Sequence, residues 1–244
     1  MVTIVQKLTP HFASPNLRAK LRPWYSKVLK QFPKLPSLKL LCYFDNDNPE
    51  WLQRQYGQFA GIHVPVIGGG FWPGYVEQLF FDYSTEELAF DNLIYIPKTK
   101  YSHEEVSFVI IFAHELQHFV QWGYSRKVAE VNSLLLQNLG SFDPMTELKP
   151  WGLPNNREAM IIAKRIAESI CGVETVKEFA CSQIADGKKT NNASKTHLWQ
   201  WVLTINLGIS YDLLKETDKL VRKYRQQLLS LNSDIDFKKT KWWL

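Results

Sequence analysis

The stretch from Val106 to Val120 constrains this chain more than any other. Val106, Phe108, Val109, Ile110, Ile111, Phe112, Ala113, Leu116, Phe119 and Val120 follow one another almost without pause. Ahead of them, Ser102-His103-Glu104-Glu105 matches a capping box. Ser102 can accept from the backbone N–H of Glu105, whose side chain reaches back to the cap. Behind them, Gly123 is placed to supply a left-handed C-terminal stop. The pattern predicts a helix of about twenty residues, apolar nearly all round, and such a helix must lie at the centre of a core. His114 and Glu115 break its densest apolar run. What remains is far short of the ~20 residues a membrane span needs, so no transmembrane segment is expected.

The rest of the chain is organised around that helix. The first 36 residues carry Pro10, Pro15, Pro23, Pro33 and Pro36. A basic helix fits between Asn16 and Gln31, with Pro23 kinking it or marking its start. Ser37–Phe44 reads as a strand, ended by the polar cluster Asp45-Asn46-Asp47-Asn48-Pro49. Gly61–Ile67 reads as a second extended segment, at an edge because of Pro65. Gly68-Gly69-Gly70 and Phe71–Gly74 read as a loop; no GKS or GKT follows, so they are not a phosphate cradle. Gln78–Tyr83 and Asn92–Pro97 are further short strands, and helices follow over Ser125–Leu139, Asn156–Cys171, Val173–Ala185, Thr196–Ile209 and Asp212–Leu231. Strands first and helices afterwards is an α+β plan: a small N-terminal mixed or antiparallel sheet, then a mainly helical C-terminal part. The expected division of the single domain is a basic segment over 1–36, sheet plus central helix over 37–123, a helical part over 124–231 and a basic, Trp-containing tail over 232–244.

At 244 residues, 45% hydrophobic and 22% charged, the composition excludes disordered and low-complexity classes. Cys42, Cys171 and Cys181 are odd in number and form no CxxC pair. With no apolar leader at the N-terminus, they predict a reducing, cytoplasmic setting rather than a disulfide framework. The net charge of +5 hides a division. Residues 1–44 hold eight Lys/Arg and no Asp or Glu, 45–187 hold 10 basic and 19 acidic residues, and 188–244 hold 11 basic and 5 acidic. Basic ends flanking an acidic middle admit a nucleic acid or an anionic surface as partner. They equally admit solvated faces, because no run of five or six like charges occurs.

The chemistry sits inside the buried helix, in His114-Glu115-Leu116-Gln117-His118. Residues four apart project from one face, so both imidazoles can reach one cation. Zinc takes imidazole nitrogen at about 2.0–2.1 Å, and a helical pair of this spacing meets that demand. Glu115 is rotated by about 100° from His114, which makes it a poor third ligand and a good general base for an attacking water. An idle carboxylate in such surroundings would cost several kcal/mol, so Glu115 is expected to have work.

The strand Asn92–Pro97, the capped helix and the HELQH motif together resemble the zincin metallopeptidases. The resemblance implies a zincin-like fold around the active-site helix, Zn2+ as cofactor, and a peptide or protein substrate. It implies His114 and His118 as metal ligands and Glu115 as the catalytic base. The metzincin extension asks for Gly at position 121 and His at 124, where this chain has Gln121 and Tyr124. The gluzincin type instead takes a glutamate from a helix downstream, which points to Glu158, near the start of the Asn156–Cys171 segment, with Glu168 in reserve. Glu130 is too near in sequence, and His197 is an outsider. The resemblance further implies that Asn92–Pro97 is an edge strand along which substrate is laid, although an interior strand fits the residues as well. Tyr124, His197 and Tyr211 are all available to stabilise an oxyanion. The rival reading is a nucleic-acid-associated or scaffold protein whose zinc site is structural or degenerate.

Overall fold

The computed structural model describes residues 8–12, 14–37, 40–45, 70–73, 92–97, 105–125, 127–128, 131–132, 135, 153–207 and 210–231. The elements in chain order are β1 (Leu8–Phe12), α1 (Pro15–Leu29), β2 (Leu40–Asp45), β3 (Gly70–Pro73), β4 (Asn92–Pro97), α2 (Glu105–Tyr124), α3 (Pro154–Cys171), α4 (Val173–Lys189), α5 (Ala193–Thr204) and α6 (Leu213–Leu231). Residues 127–128, 131–132 and 135 are also helical.

The α+β plan is overturned. The interpretable part is 79% helical, so the protein is mainly helical rather than a sheet followed by helices. Strand is confined to runs of four to six residues. These pair in the order β1-β2-β4-β3, parallel at β1–β2 and β2–β4 and antiparallel at β3–β4, and do not amount to the N-terminal layer the plan called for. Pro23 does not start α1, which begins at Pro15 and runs through it. Ser14 caps α1, its Oγ accepting from the Leu17 N–H at 3.2 Å. The run Gly70–Pro73, read as loop, is β3. The segments Gly61–Ile67 and Gln78–Tyr83, the cap residue Ser102 and the tail 232–244 lie outside the described residues.

The core gathers on α2. Phe108, Phe112 and Phe119 are fully buried, and each contributes roughly 1.5–3 kcal/mol by leaving water. Around them lie Leu21, Tyr25 and Val28 of α1, Ala163, Ile166 and Ala167 of α3, and Val176 and Phe179 of α4. Cys42, Ile94 and Ile96 close the cluster from β2 and β4. The Tyr25 and Phe112 rings stack at 5.1 Å. Helices thus cover most of the circumference of α2, which is why an all-round apolar sequence is needed there. Even so, among the described residues no helix is long and apolar enough to cross a membrane.

Gly123 does not have the expected role. α2 continues through it to Tyr124, and among the described residues the positive-φ glycine is Gly172, at φ 92°, between α3 and α4. What position 123 requires is space: a Cβ there would overlap the Pro36 ring. Gly123→Ala is therefore expected to force Pro36 and the chain after α1 away from α2, at a cost of about 1–3 kcal/mol. Urea unfolding checks this, and an unchanged midpoint would show that the contact yields freely.

Candidate metal centre

The site forms where the middle of α2 meets the start of α3, the most extensive helix contact in the described structure. His114, His118 and Gln121 recur at helical spacing along one side of α2, facing Asn155, Asn156 and Glu158. α3 begins at Pro154, two residues earlier than the sequence pattern implied, with proline in the position where a missing N–H does no harm. Glu158 therefore sits one turn into the helix rather than at its first residues.

The two imidazoles meet. Their Nε2 atoms are 3.1 Å apart, with ring planes 88° to one another. Two nitrogens bound to one tetrahedral zinc would stand about 3.3 Å apart, given bonds of about 2.0–2.1 Å. The pair is thus already at the separation a shared ion demands. The Asn156 Oδ1 lies 2.9 Å from the His118 Nε2, so a third electron-rich atom borders the same point. The His114 Nδ1 is buried without a hydrogen-bond partner. Burial pushes the His114 imidazole well below its ordinary range, and the neighbouring His118 adds to this against an opposing hydrogen bond to Asn156. Burial lowers His118 as well, against hydrogen bonds to Gln121 and Asn156. Both rings are held neutral, the form that offers a lone pair to a metal. Two imidazoles at this separation fit two of the three protein ligands that a catalytic zinc takes.

Glu158 lies beside the pair, one side chain removed. Its Oε2 accepts from the Gln121 Nε2 at 2.7 Å and from the Gln117 Nε2 at 3.1 Å. Gln121 in turn meets the His118 Nδ1 at 2.8 Å through its Oε1. Among the described residues, no group of three or more His, Cys, Asp or Glu is drawn together as a metal cluster. The carboxylate and the two imidazoles are neighbours through Gln121 rather than by direct contact. Glu115 is buried, at 8% exposure, on the same turn as His114.

The other sequence candidates fall elsewhere. Glu168 pairs with Lys164 at 3.8 Å. Ten residues along α3 put it roughly 15 Å beyond Glu158, so the reserve ligand is out of range. The Lys164 ammonium is buried and donates to the carbonyls of Val202 at 2.8 Å and Ile205 at 3.3 Å, where α5 ends. His197 is exposed on α5. The exposed Tyr124 donates its hydroxyl to the Leu35 carbonyl at 3.0 Å. Tyr211 differs from these: its hydroxyl is buried without a partner. Burial raises its pKa, Arg157 opposes this, and Glu216 and Glu158 reinforce it, so the phenol lies within electrostatic reach of Glu158. Glu130 lies outside the described residues. The strand assigned to substrate docking is corrected too. β4 has β2 on one side and β3 on the other, so its backbone groups are committed and it is not an edge.

Sequence reasoning missed Gln117, Asn155 and Asn156, and used Gln121 only to set one zincin type aside. The signal was present in the spacing. Gln121 is seven residues from His114 and three from His118, on the same helical stripe. Comparison with protein-family models, with curated proteins and with solved structures returns no match.

Proposed function

We propose that this chain is a zinc-dependent metallopeptidase of gluzincin type, hydrolysing peptide bonds in a peptide or protein substrate. The observation that supports it most is the pair of neutral, half-buried imidazoles whose Nε2 atoms face each other at 3.1 Å. One neutral ring can donate to the other across that distance, and a zinc ion entering between them would take up both Nε2 lone pairs in place of that contact. His114 and His118 would hold the zinc, and Glu158, one side chain removed across Gln121, would have to turn toward it to complete the set of three. Zinc, when bound, supplies Lewis acidity and brings the pKa of its water toward ~7. Glu115 takes the proton of the attacking water and delivers it to the departing amine nitrogen. Tyr211, whose buried hydroxyl has no other partner, is the group available to donate to the carbonyl oxygen as charge develops there. All three cysteines are free thiols, which favours the cytoplasm as the place of action.

The test is elemental analysis of the purified chain, paired with a peptide-library digest read by mass spectrometry. About one zinc per chain is expected, with cleavage that stops on chelation and returns with zinc. Protein that neither carries zinc nor gains stability on its addition would end the metallopeptidase reading.

A further inference from the structure

We propose that the groove beside α1 binds single-stranded nucleic acid, with Arg18 and Arg22 each taking a backbone phosphate. The site lies apart from the candidate metal centre and does not depend on the zinc reading.

The groove forms where the end of β1 meets α1 and has a volume of about 590 Å³, within the ~300–1,000 Å³ range of ligand sites. Phe12 and Pro23 give it apolar surface, and Ser14, Arg18, Arg22 and Ser26 give it polar groups. α1 turns Leu21, Tyr25 and Val28 into the core. Arg18, Arg22 and Ser26 recur at intervals of four, so they form one exposed ridge beside that buried stripe. The Ser14 Oγ accepts from the Leu17 N–H at 3.2 Å, which leaves its O–H to donate.

The charge here is unopposed. Among the described residues no carboxylate lines the groove. The chain has no acidic residue before Asp45, against eight Lys/Arg. Later helices balance their own charges: Lys177 pairs with Glu174 on α4, and Lys219 with Glu216 and Arg222 with Asp218 on α6. α1 contains no carboxylate that could do the same. Two guanidiniums one turn apart, about 6 Å along the axis, present two planar forks of the geometry that phosphate oxygens accept.

The ligand chemistry follows from what surrounds those forks. A single strand brings successive phosphates together with exposed base faces, and the groove offers cations beside apolar surface. A duplex hides its bases and has no use for that surface. A membrane is disfavoured because the apolar stripe of α1 is spent in the core, which leaves it none to insert among lipid chains.

The test is fluorescence anisotropy of a labelled short oligouridine RNA with the whole chain, across a series of salt concentrations. Arg18→Gln and Arg22→Gln are each expected to weaken binding about tenfold, the share of one charge-assisted phosphate contact. The double variant should also flatten the dependence of log affinity on log salt by about 1.4, at ~0.7 for each phosphate released from a single strand. Both arginines are exposed, and glutamine is nearly as good a helix former, so circular dichroism should be unchanged. Lys188→Gln with Lys189→Gln, at the exposed end of α4, removes the same charge elsewhere and should leave affinity within about twofold. An equal loss in that control pair would mean diffuse attraction and would overturn the site. So would wild-type affinity in the Arg18→Gln, Arg22→Gln double variant, or a wild type that does not bind the strand at low salt. Duplex RNA or phosphatidylserine vesicles competing as well as the single strand would overturn the choice of ligand. Binding unchanged by a zinc chelator is expected, and loss of binding on chelation would overturn the independence of the two sites.

Discussion

His114→Ala and His118→Ala are each expected to strip zinc from the purified protein. Apparent zinc affinities of about 10–16 kcal/mol, spread over four ligands in closed sites, put a single ligand near ~3 kcal/mol, or on the order of 10²-fold in affinity. In a site with three protein ligands the share of each is no smaller. His118→Ala is expected to be the more severe, because His118 is the ring that Gln121 and Asn156 both touch. Its removal also leaves the Gln121 oxygen buried without a donor. The measurement is zinc per chain after dialysis against a weak chelator, with circular dichroism confirming that α2 is intact. Zinc retained in both variants would mean that any bound ion sits elsewhere and that the 3.1 Å approach of the two rings has another cause.

The central helix was legible because its signal is local. A dense apolar series specifies both that α2 forms and that it is buried, and the shared face of His114 and His118 follows from helical spacing alone. The architecture around it was not legible, for a physical reason. Short apolar runs such as Leu40–Asp45 and Asn92–Pro97 state a preference for extended backbone, but not how much of the molecule such runs will form. Proline is ambiguous in a different way: Pro23 fits a kink or a helix start, and the start belongs to Pro15 instead. Gly123 shows a third kind of limit. A glycine at the end of an apolar series looks the same whether it serves a left-handed turn or close approach. Only the position of Pro36, distant in sequence, distinguishes them.

The site was readable in proportion to how much of it lies on one helix. Glu158 was reachable only through the family resemblance, since its neighbourhood to His118 is created by two helices crossing. Gln121 was in plain view at the right spacing, but an amide has no motif of its own. Its importance comes from what its two ends touch. Tyr211 stood level with Tyr124 and His197 until burial separated them: of the three, Tyr211 has a buried hydroxyl left unpaired.

Glu115→Gln is expected to lower peptide hydrolysis by about 10²–10⁴-fold, the range that general-base assistance contributes. Glutamine keeps the length and most of the shape of the side chain, but its amide cannot take a proton from water. Zinc content should remain at the wild-type level, because His114, His118 and Glu158 are untouched. Stability should hold or rise, since an amide costs less to bury than a carboxylate and this position is only 8% exposed. That combination is diagnostic. A residue serving only the fold would lose stability on substitution, and a metal ligand would lose zinc, whereas a base loses rate alone. The comparison uses one peptide library, digested by wild type and variant at equal zinc loading and quantified by mass spectrometry. Equal cleavage by the two would remove Glu115 from the mechanism. Loss of zinc together with rate would recast it as a ligand, and would displace Glu158 from the third position.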